Sequence, residues 1–217
     1  LNPGSREFQC ENCAHEAAGA LARLLEERHE QVAAFIVEPL VQGAGGMQMH
    51  DAATLAFIAE ACARHGVLLI ADEIMTGFGR PGTMFAGEQA GVRPDFICLS
   101  KGITGGYLPL SCVLTTDDIY RQFYDDDVTR GFLHSHSYTG SALACRAALA
   151  TLDIFRDDDV ITRNRDRAER CSRRAEAIRC VEGDDALGRG RHGDEDPVAG
   201  LQAEALADLL PLFGAER

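Results

Sequence analysis

Three short apolar runs, each closed by a residue able to do chemistry, constrain this chain more than any other feature. Val32-Ala33-Ala34-Phe35-Ile36-Val37 stops at Glu38-Pro39, Val67-Leu68-Leu69-Ile70-Ala71 at Asp72-Glu73, and Phe96-Ile97-Cys98-Leu99 at Ser100-Lys101. Runs without polar alternation suit strands buried on both faces of a parallel sheet. Parallel strands need long crossovers, and a helical pattern lies between the first two runs. There Leu55, Ile58, Ala59 and Cys62 follow helical spacing, with Asp51 as N-cap and Gly66 where a C-terminal cap belongs.

The rest of the chain extends the alternation. His15 to Glu30 reads as a helix with an apolar stripe of Leu21, Leu24 and Leu25. Gly43, Gly45 and Gly46 mark a loop, and Gly77, Gly79, Pro81 and Gly82 a glycine-rich connection. Ser111 to Leu114 suits a fourth strand, and Asp117 to Tyr124 a short helix capped by Asp117. Thr139 to Phe155 suits a further helix with Leu143, Ala147, Ala150 and Ile154 on one face. Strands alternating with helices indicate an α/β fold with a mostly parallel sheet flanked by helices. The last stretch breaks the pattern. From Ile161 to Arg179 the chain is rich in Arg, and from Val181 to Pro197 it mixes Gly, Asp and Arg with little apolar content, so 180–217 is expected to be a poorly ordered tail.

Charge excludes some partners. Lys plus Arg is 21 against 34 for Asp plus Glu, a net charge of −13. Such a chain repels phosphate backbones, so neither nucleic acid nor an anionic membrane surface is expected as a partner. No apolar stretch approaches the ~20 residues of a bilayer-spanning helix, and no signal peptide opens the sequence, so a cytoplasmic location is expected. The opening Leu1-Asn2-Pro3-Gly4-Ser5 lacks an initiator Met and reads as part of a longer chain. The 8 Cys are too few for a disulfide scaffold, and Cys10-Glu11-Asn12-Cys13, with His15 behind it, lacks the second pair that a structural zinc site wants. No metal is expected.

Lysine occurs once, at Lys101; every other basic residue of the 21 is Arg. A compositional bias against Lys explains the scarcity, but not why one survives where it does. Arg stays protonated, whereas a lysine amine can lose its proton and attack a carbonyl. Open α/β sheets bind ligands at the carboxyl ends of their strands. Glu38, Asp72 and Lys101 all fall at such ends, so one crevice is expected to hold all three. A carboxylate and a lone lysine there fit pyridoxal phosphate, the amine bonding the aldehyde and the carboxylate keeping the ring nitrogen protonated. His134-Ser135-His136-Ser137-Tyr138, just before the helix expected from Thr139, offers a phosphate site at a helix N-terminus; the alternative is that Ser137 and Thr139 merely cap that helix. The strand ending in Asp72-Glu73 also looks like a nucleotide-binding Walker B strand. Its partner glycine loop is missing, since the sole lysine follows Leu99-Ser100 rather than glycine.

Several motifs resemble one family. Val37-Glu38-Pro39, Gln42-Gly43-Ala44-Gly45-Gly46-Met47, Ala71-Asp72-Glu73-Ile74, Thr76-Gly77-Phe78-Gly79-Arg80 and Leu99-Ser100-Lys101-Gly102 occur in the order typical of class III pyridoxal-phosphate aminotransferases. The resemblance runs from about position 9 to about 179. It implies the large domain of a fold-type I transferase, incomplete, over residues 1–179. Glu38 to Met47, Ile103 to Ser111, and Gly131 to Ala144 look most like the biotin-pathway branch of the class. Members of that branch move an amino group from S-adenosylmethionine, or in some from lysine, to 8-amino-7-oxononanoate, giving 7,8-diaminononanoate.

The resemblance further implies roles, residue by residue. Lys101 matches the Schiff-base lysine and proton shuttle, Asp72 the partner of the pyridine nitrogen, and Ile74 the residue against the ring face. His136 and Ser137 match a phosphate-binding pair that reaches into the neighbouring subunit of a homodimer. Ser135 falls where these enzymes contact substrate, and Glu38 matches a supportive glutamate. Two departures are expected to matter: the family's N-terminal part is absent, and its small domain is not recognisable after about position 179. Truncation at the front and a changed reading frame at the back would account for both. The alternatives are another class III enzyme acting on an ω-amino acid, and a truncated fragment without catalysis.

Overall fold

The first apolar run becomes β1 (Ala34–Val37), preceded by α1 (Glu11–Arg28) and a 3-10 turn over His29–Gln31. This structure is a computed structural model that describes residues 11–171, with side chains from residue 16. After β1 come β2 (Val41–Gln42), β3 (Gln48–Met49), α2 (Ala52–Arg64), β4 (Leu68–Asp72), β5 (Phe96–Leu99), β6 (Cys112–Thr115), α3 (Asp117–Arg121) and α4 (Ala142–Asp157). Contacts divide the chain into Leu1–Ile161 and Thr162–Arg217. Of the second unit the described stretch, 162–171, is helical. The expected boundary at 179, the tail over 180–217 and the side chains of the Cys10–Cys13 motif and His15 lie outside the described residues.

The main sheet has the order β1-β4-β5-β6. β1, β4 and β5 run parallel, and β6 closes the edge antiparallel to β5, so the sheet is mostly parallel as the alternation implies. α2 is the crossover between β1 and β4. It starts as the sequence indicates, the Asp51 carboxylate accepting a hydrogen bond from Thr54 N at 2.7 Å, and ends into Gly66, whose φ of +67° is the left-handed value that glycine adopts without a steric penalty. The glycines after Gln42 form a turn between β2 and β3, which pair as a small antiparallel hairpin rather than a loop alone.

Helices cover one face of the sheet. Successive strand residues point to opposite sides, and parallel register keeps Val37, Leu69 and Ala71 on one of them. There Val37 and Leu69 join Leu25 of α1 and Leu55, Ile58 and Cys62 of α2 in a buried cluster. A second cluster on the same side gathers Leu99, Phe78, Ile103 and Ala148 of α4, with Ile97, Cys112 and Phe155 packed on it. Burying each large aliphatic side chain contributes about 1.5–3 kcal/mol. The other face carries Ile36, Ile70, Asp72, Cys98 and Val113. Ile36 is 59% and Val113 60% exposed, so the expectation of strands buried on both faces fails for β1, because no described element lies over that side.

Helix faces and caps differ from expectation in other places. In α1 the inward residues are Ala18 and Leu25 with Leu21, while Leu24 is largely exposed. The short helix α3 is capped by Thr116, whose hydroxyl accepts from Ile119 N, and not by Asp117, which is its first helical residue. In α4, Ala144, Ala148 and Thr151 face inward, whereas Leu143, at 77% exposure, and Ile154 of the expected face point outward. α4 is apolar around most of its circumference, so periodicity could not choose a face. Small side chains point in because a neighbouring turn comes close: a Cβ built on Gly105 would lie 3.5 Å from Thr151 Oγ1.

Candidate active site

Glu38 and Lys101 follow the ends of β1 and β5, and Asp72 is the last residue of β4 between them, so all three lie at one carboxyl edge of the sheet. Asp72 is in register with Cys98, which puts their side chains on the same face. Burial first, then the Asp72 carboxylate and the Cys112 thiol, push the Cys98 thiol above its ordinary value. Asp72 is half-buried, and its Oδ1 accepts from Ile74 N at 3.1 Å, a turn that draws Ile74 back toward the strand end. Glu38 Oε2 accepts from Gly43 N at 2.9 Å and the Glu38 carbonyl sits 3.0 Å from His50 Nε2. Glu38 therefore ties the β2–β3 hairpin to the sheet edge.

Lys101 is exposed and begins a 3-10 turn, Lys101–Thr104, with a backbone φ of +47°. A lysine held in the left-handed region costs on the order of 1–3 kcal/mol and persists only where its surroundings over-determine it. Such strain clusters at functional sites. The lysine opens on a cavity of about 410 Å³, lined also by Arg80, Ser100, Gly102, Tyr107 and Leu108. Ser100 Oγ donates to the Leu110 carbonyl at 2.7 Å and Thr104 Oγ1 to the Leu108 carbonyl at 2.6 Å, which anchors the far wall. Neither Asp72 nor Glu38 lines this cavity, so it does not gather all three as expected; each stands at the end of its own strand, β4 and β1. Arg80 does line it, and sequence reasoning had noted that residue only inside a motif.

Glu73, beside Asp72, proves to be a structural hub. It is 2% exposed. Its Oε2 accepts from Thr76 Oγ1 at 2.6 Å and Ala86 N at 3.1 Å, and its Oε1 from Gly87 N at 2.9 Å. A buried carboxylate with three donors is satisfied, and it closes the segment 73–87 on itself. Ile74, Phe78 and Arg80 ride on that segment. Sequence reading missed this role, although an acidic residue following a buried strand residue is the one signal that could have marked it.

The stretch carrying Ser135, His136 and Ser137 is exposed throughout and lines no part of the lysine cavity. The expected helix N-terminus is also not there. His136 N donates to Thr139 Oγ1 at 3.0 Å and Tyr138 N to His136 Nδ1 at 3.1 Å, forming a local turn, and α4 begins only at Ala142 after Ser141. Neither Ser137 nor Thr139 caps α4; Thr139 is engaged by the turn. Among the described residues no group of three or more His, Cys, Asp or Glu could hold a metal ion, and no helix is long and apolar enough to cross a membrane.

Comparison with known proteins bears on what this arrangement does. The aminotransferase class-III family model matches residues 3–180. The adenosylmethionine-8-amino-7-oxononanoate aminotransferase of Helicobacter pylori is 54% identical over 147 residues, 67% of this chain and 34% of that protein. The crystal structure of the enzyme of that name from Methanocaldococcus jannaschii is similar at a TM-score of 0.64 and 40% identity, over 75% of this chain and 36% of that one. An amine transaminase from an uncultivated Pseudomonas species, solved in its PLP-bound form, is similar at a TM-score of 0.59 and 41% identity, over 67% of this chain and 34% of that one. The match thus spans about a third of the length of these relatives.

Proposed function

This chain belongs to the class III aminotransferases, and from that premise we propose that it is the central, cofactor-binding portion of an enzyme that aminates 8-amino-7-oxononanoate in biotin synthesis, with S-adenosylmethionine as amino donor. The observation that carries this reading is Lys101: the chain's sole lysine, strained into a left-handed backbone and opening on a cavity, with Asp72 outside that cavity at the end of the neighbouring strand. The class is pyridoxal-phosphate dependent, and the donor set fits that cofactor: a primary amine beside a cavity, and a carboxylate on the next strand. Lys101 and Asp72 would hold it, with Ile74 against its ring and His136 and Ser137 at its phosphate. When bound, the cofactor supplies an aldehyde open to amines and a ring that takes up electron density.

The chain's own groups do the remainder. Lys101 Nζ would hold the cofactor through its amine, and the same amine would serve as the base that takes a proton and the acid that returns it. Asp72 Oδ1 is engaged by Ile74 N, which orients the carboxylate and leaves Oδ2 to accept from a protonated ring nitrogen. Arg80 adds a fixed positive charge at the cavity mouth, suited to an anionic substrate group. Ser135 would meet substrate. The outward loop carrying Ser135 to Ser137 supports a homodimer in which that loop serves the partner's site. A cytoplasmic setting belongs to the same reading, and the free thiols Cys62, Cys98, Cys112, Cys145 and Cys171 support it.

The test is direct. Pyridoxal phosphate is added to the chain, the product is reduced with borohydride, and peptides are mapped by mass. An adduct on Lys101, lost in Lys101→Ala and weakened in Asp72→Asn, is the expected result; none in the parent would leave a non-catalytic fragment. Transfer from S-adenosylmethionine by a version extended to the relatives' length then addresses the substrate pair. The likeness to an amine transaminase favours one second reading, an ω-amine donor, which the same assay separates.

A further inference from the structure

Phe78, like Lys101, is a non-glycine residue held in the left-handed region. Its φ is +63°, a conformation that aromatic residues rarely adopt, and the residue is 7% exposed. Its surroundings account for it. Phe78 N donates to the Met84 carbonyl at 2.8 Å, and its ring meets Phe85 edge-on at 6.0 Å and Phe155 of α4 at 6.2 Å. The free side of the residue presses on Gly102: a Cβ built on Gly102 would lie 2.8 Å from Phe78 Cβ and 3.0 Å from its Cδ2. Gly102 is therefore glycine because Phe78 occupies the space where a side chain would go. The residue immediately before that contact is Lys101.

We propose that Phe78 is a positioning residue for Lys101: its Cβ and ring edge, seated on Gly102, hold the start of the 3-10 turn so that Lys101 keeps the left-handed backbone that aims it into its cavity. Left to itself, a lysine relaxes to right-handed or extended backbone, which swings the Cα–Cβ bond and carries Nζ away. Phe78 is braced by α4 and by the segment that Glu73 closes, so the constraint reaches Lys101 from both. The functional part of this inference rests on the reading of Lys101 as the cofactor-bonding amine; the backbone part does not.

The single lysine supplies a readout. Labelling the 217-residue chain with ¹⁵N-lysine yields one backbone amide resonance, that of Lys101. In Phe78→Gly this resonance is expected to move, split or broaden, and borohydride-trapped pyridoxal phosphate on Lys101 to accumulate about tenfold to a hundredfold more slowly. Phe78→Leu keeps a Cβ and branched bulk against Gly102, and is expected to restore a single resonance and trapping within about threefold of the parent. Gly102→Ala should match the loss in Phe78→Gly, yet add little to it in the double variant, where the opposing Cβ is gone. A folded Phe78→Gly or Gly102→Ala with parental resonance and trapping rate would overturn the proposal. If Phe78→Gly does not fold, Gly102→Ala and Phe78→Leu decide by the same two readouts. If the parent is not trapped at all, the cofactor reading falls and the resonance alone decides the backbone claim: unmoved in Gly102→Ala, it rejects that claim too.

Discussion

Two segments of this molecule carry expected site residues, one after strand β4 and one after helix α3, and they are built in opposite ways. Segment 73–87 has a core of its own: Glu73 is buried with three donors on its carboxylate, and Phe78 and Ala86 are buried. Segment 121–140 has no buried residue, and its hydrogen bonds are local, such as Thr129 to Asp127 and Arg130 to Asp125. Phe123, Tyr124, Phe132, Leu133 and Tyr138 stand exposed along it. On the proposed dimeric reading these exposed apolar side chains, of which Phe123 and Phe132 meet edge-on, would face the partner subunit. The first segment takes its shape from within the chain, which is why it can aim Phe78 at the lysine turn. The second carries the proposed phosphate-binding residues but lacks internal support.

Substitutions can break that contrast. Glu73→Ala leaves a hydroxyl and two backbone N–H groups buried without an acceptor, and should lower unfolding stability in urea by about 3–5 kcal/mol. A loss under 1 kcal/mol would mean that the segment is not held from within. The two N-caps give a finer comparison: Asp51→Ala, on the buried helix α2, should cost about 1 kcal/mol, and Thr116→Ala, on the short exposed α3, no more than about half of that. His136→Ala or Phe132→Ser should change the stability of the single chain by no more than about 0.5 kcal/mol, while His136→Ala weakens retention of pyridoxal phosphate in dialysis. A core-sized loss from either would show that 121–140 is as well supported as 73–87.

The smallest effect is a slope with pH. Burial raises the thiols of Cys62, Cys98 and Cys112, with Asp95 adding to the first and Asp72 and Cys112 to the second. Below the ordinary thiol value all three are protonated in both states, and their contribution is intact. As pH rises through that value, unfolded thiols ionise while folded ones stay neutral, so stability falls until the raised folded values are reached. Urea midpoints measured across the alkaline range should show this decline. Cys62→Ala should flatten it, because it removes one of the titrating groups.

Much of the framework was legible in residue order. The three apolar runs became β1, β4 and β5, Asp51 and Gly66 bounded α2 where expected, and the strand-end rule put Glu38, Asp72 and Lys101 at one edge. These follow from local physics: runs of apolar residues, cap chemistry, and the parallel connection that makes strand ends converge. What went wrong depended on neighbours. The inward face of α4, the cap of α3 and the open face of β1 were each settled by which surface came near, and no periodicity within the helix or strand records that.

The sequence by itself determined the α/β alternation, the singular amine and the motif order that assigns the chain to its family. The tertiary structure alone decided that Glu73 staples segment 73–87 together, and that α4 turns its alanines inward. It alone also seated Phe78 on Gly102 beneath a strained lysine. The reason is range. Propensity, spacing and charge act between residues a few positions apart, whereas burial and backbone strain are properties of contacts such as Gly87 on Glu73 and Phe78 on Gly102, which exist only after distant segments have met.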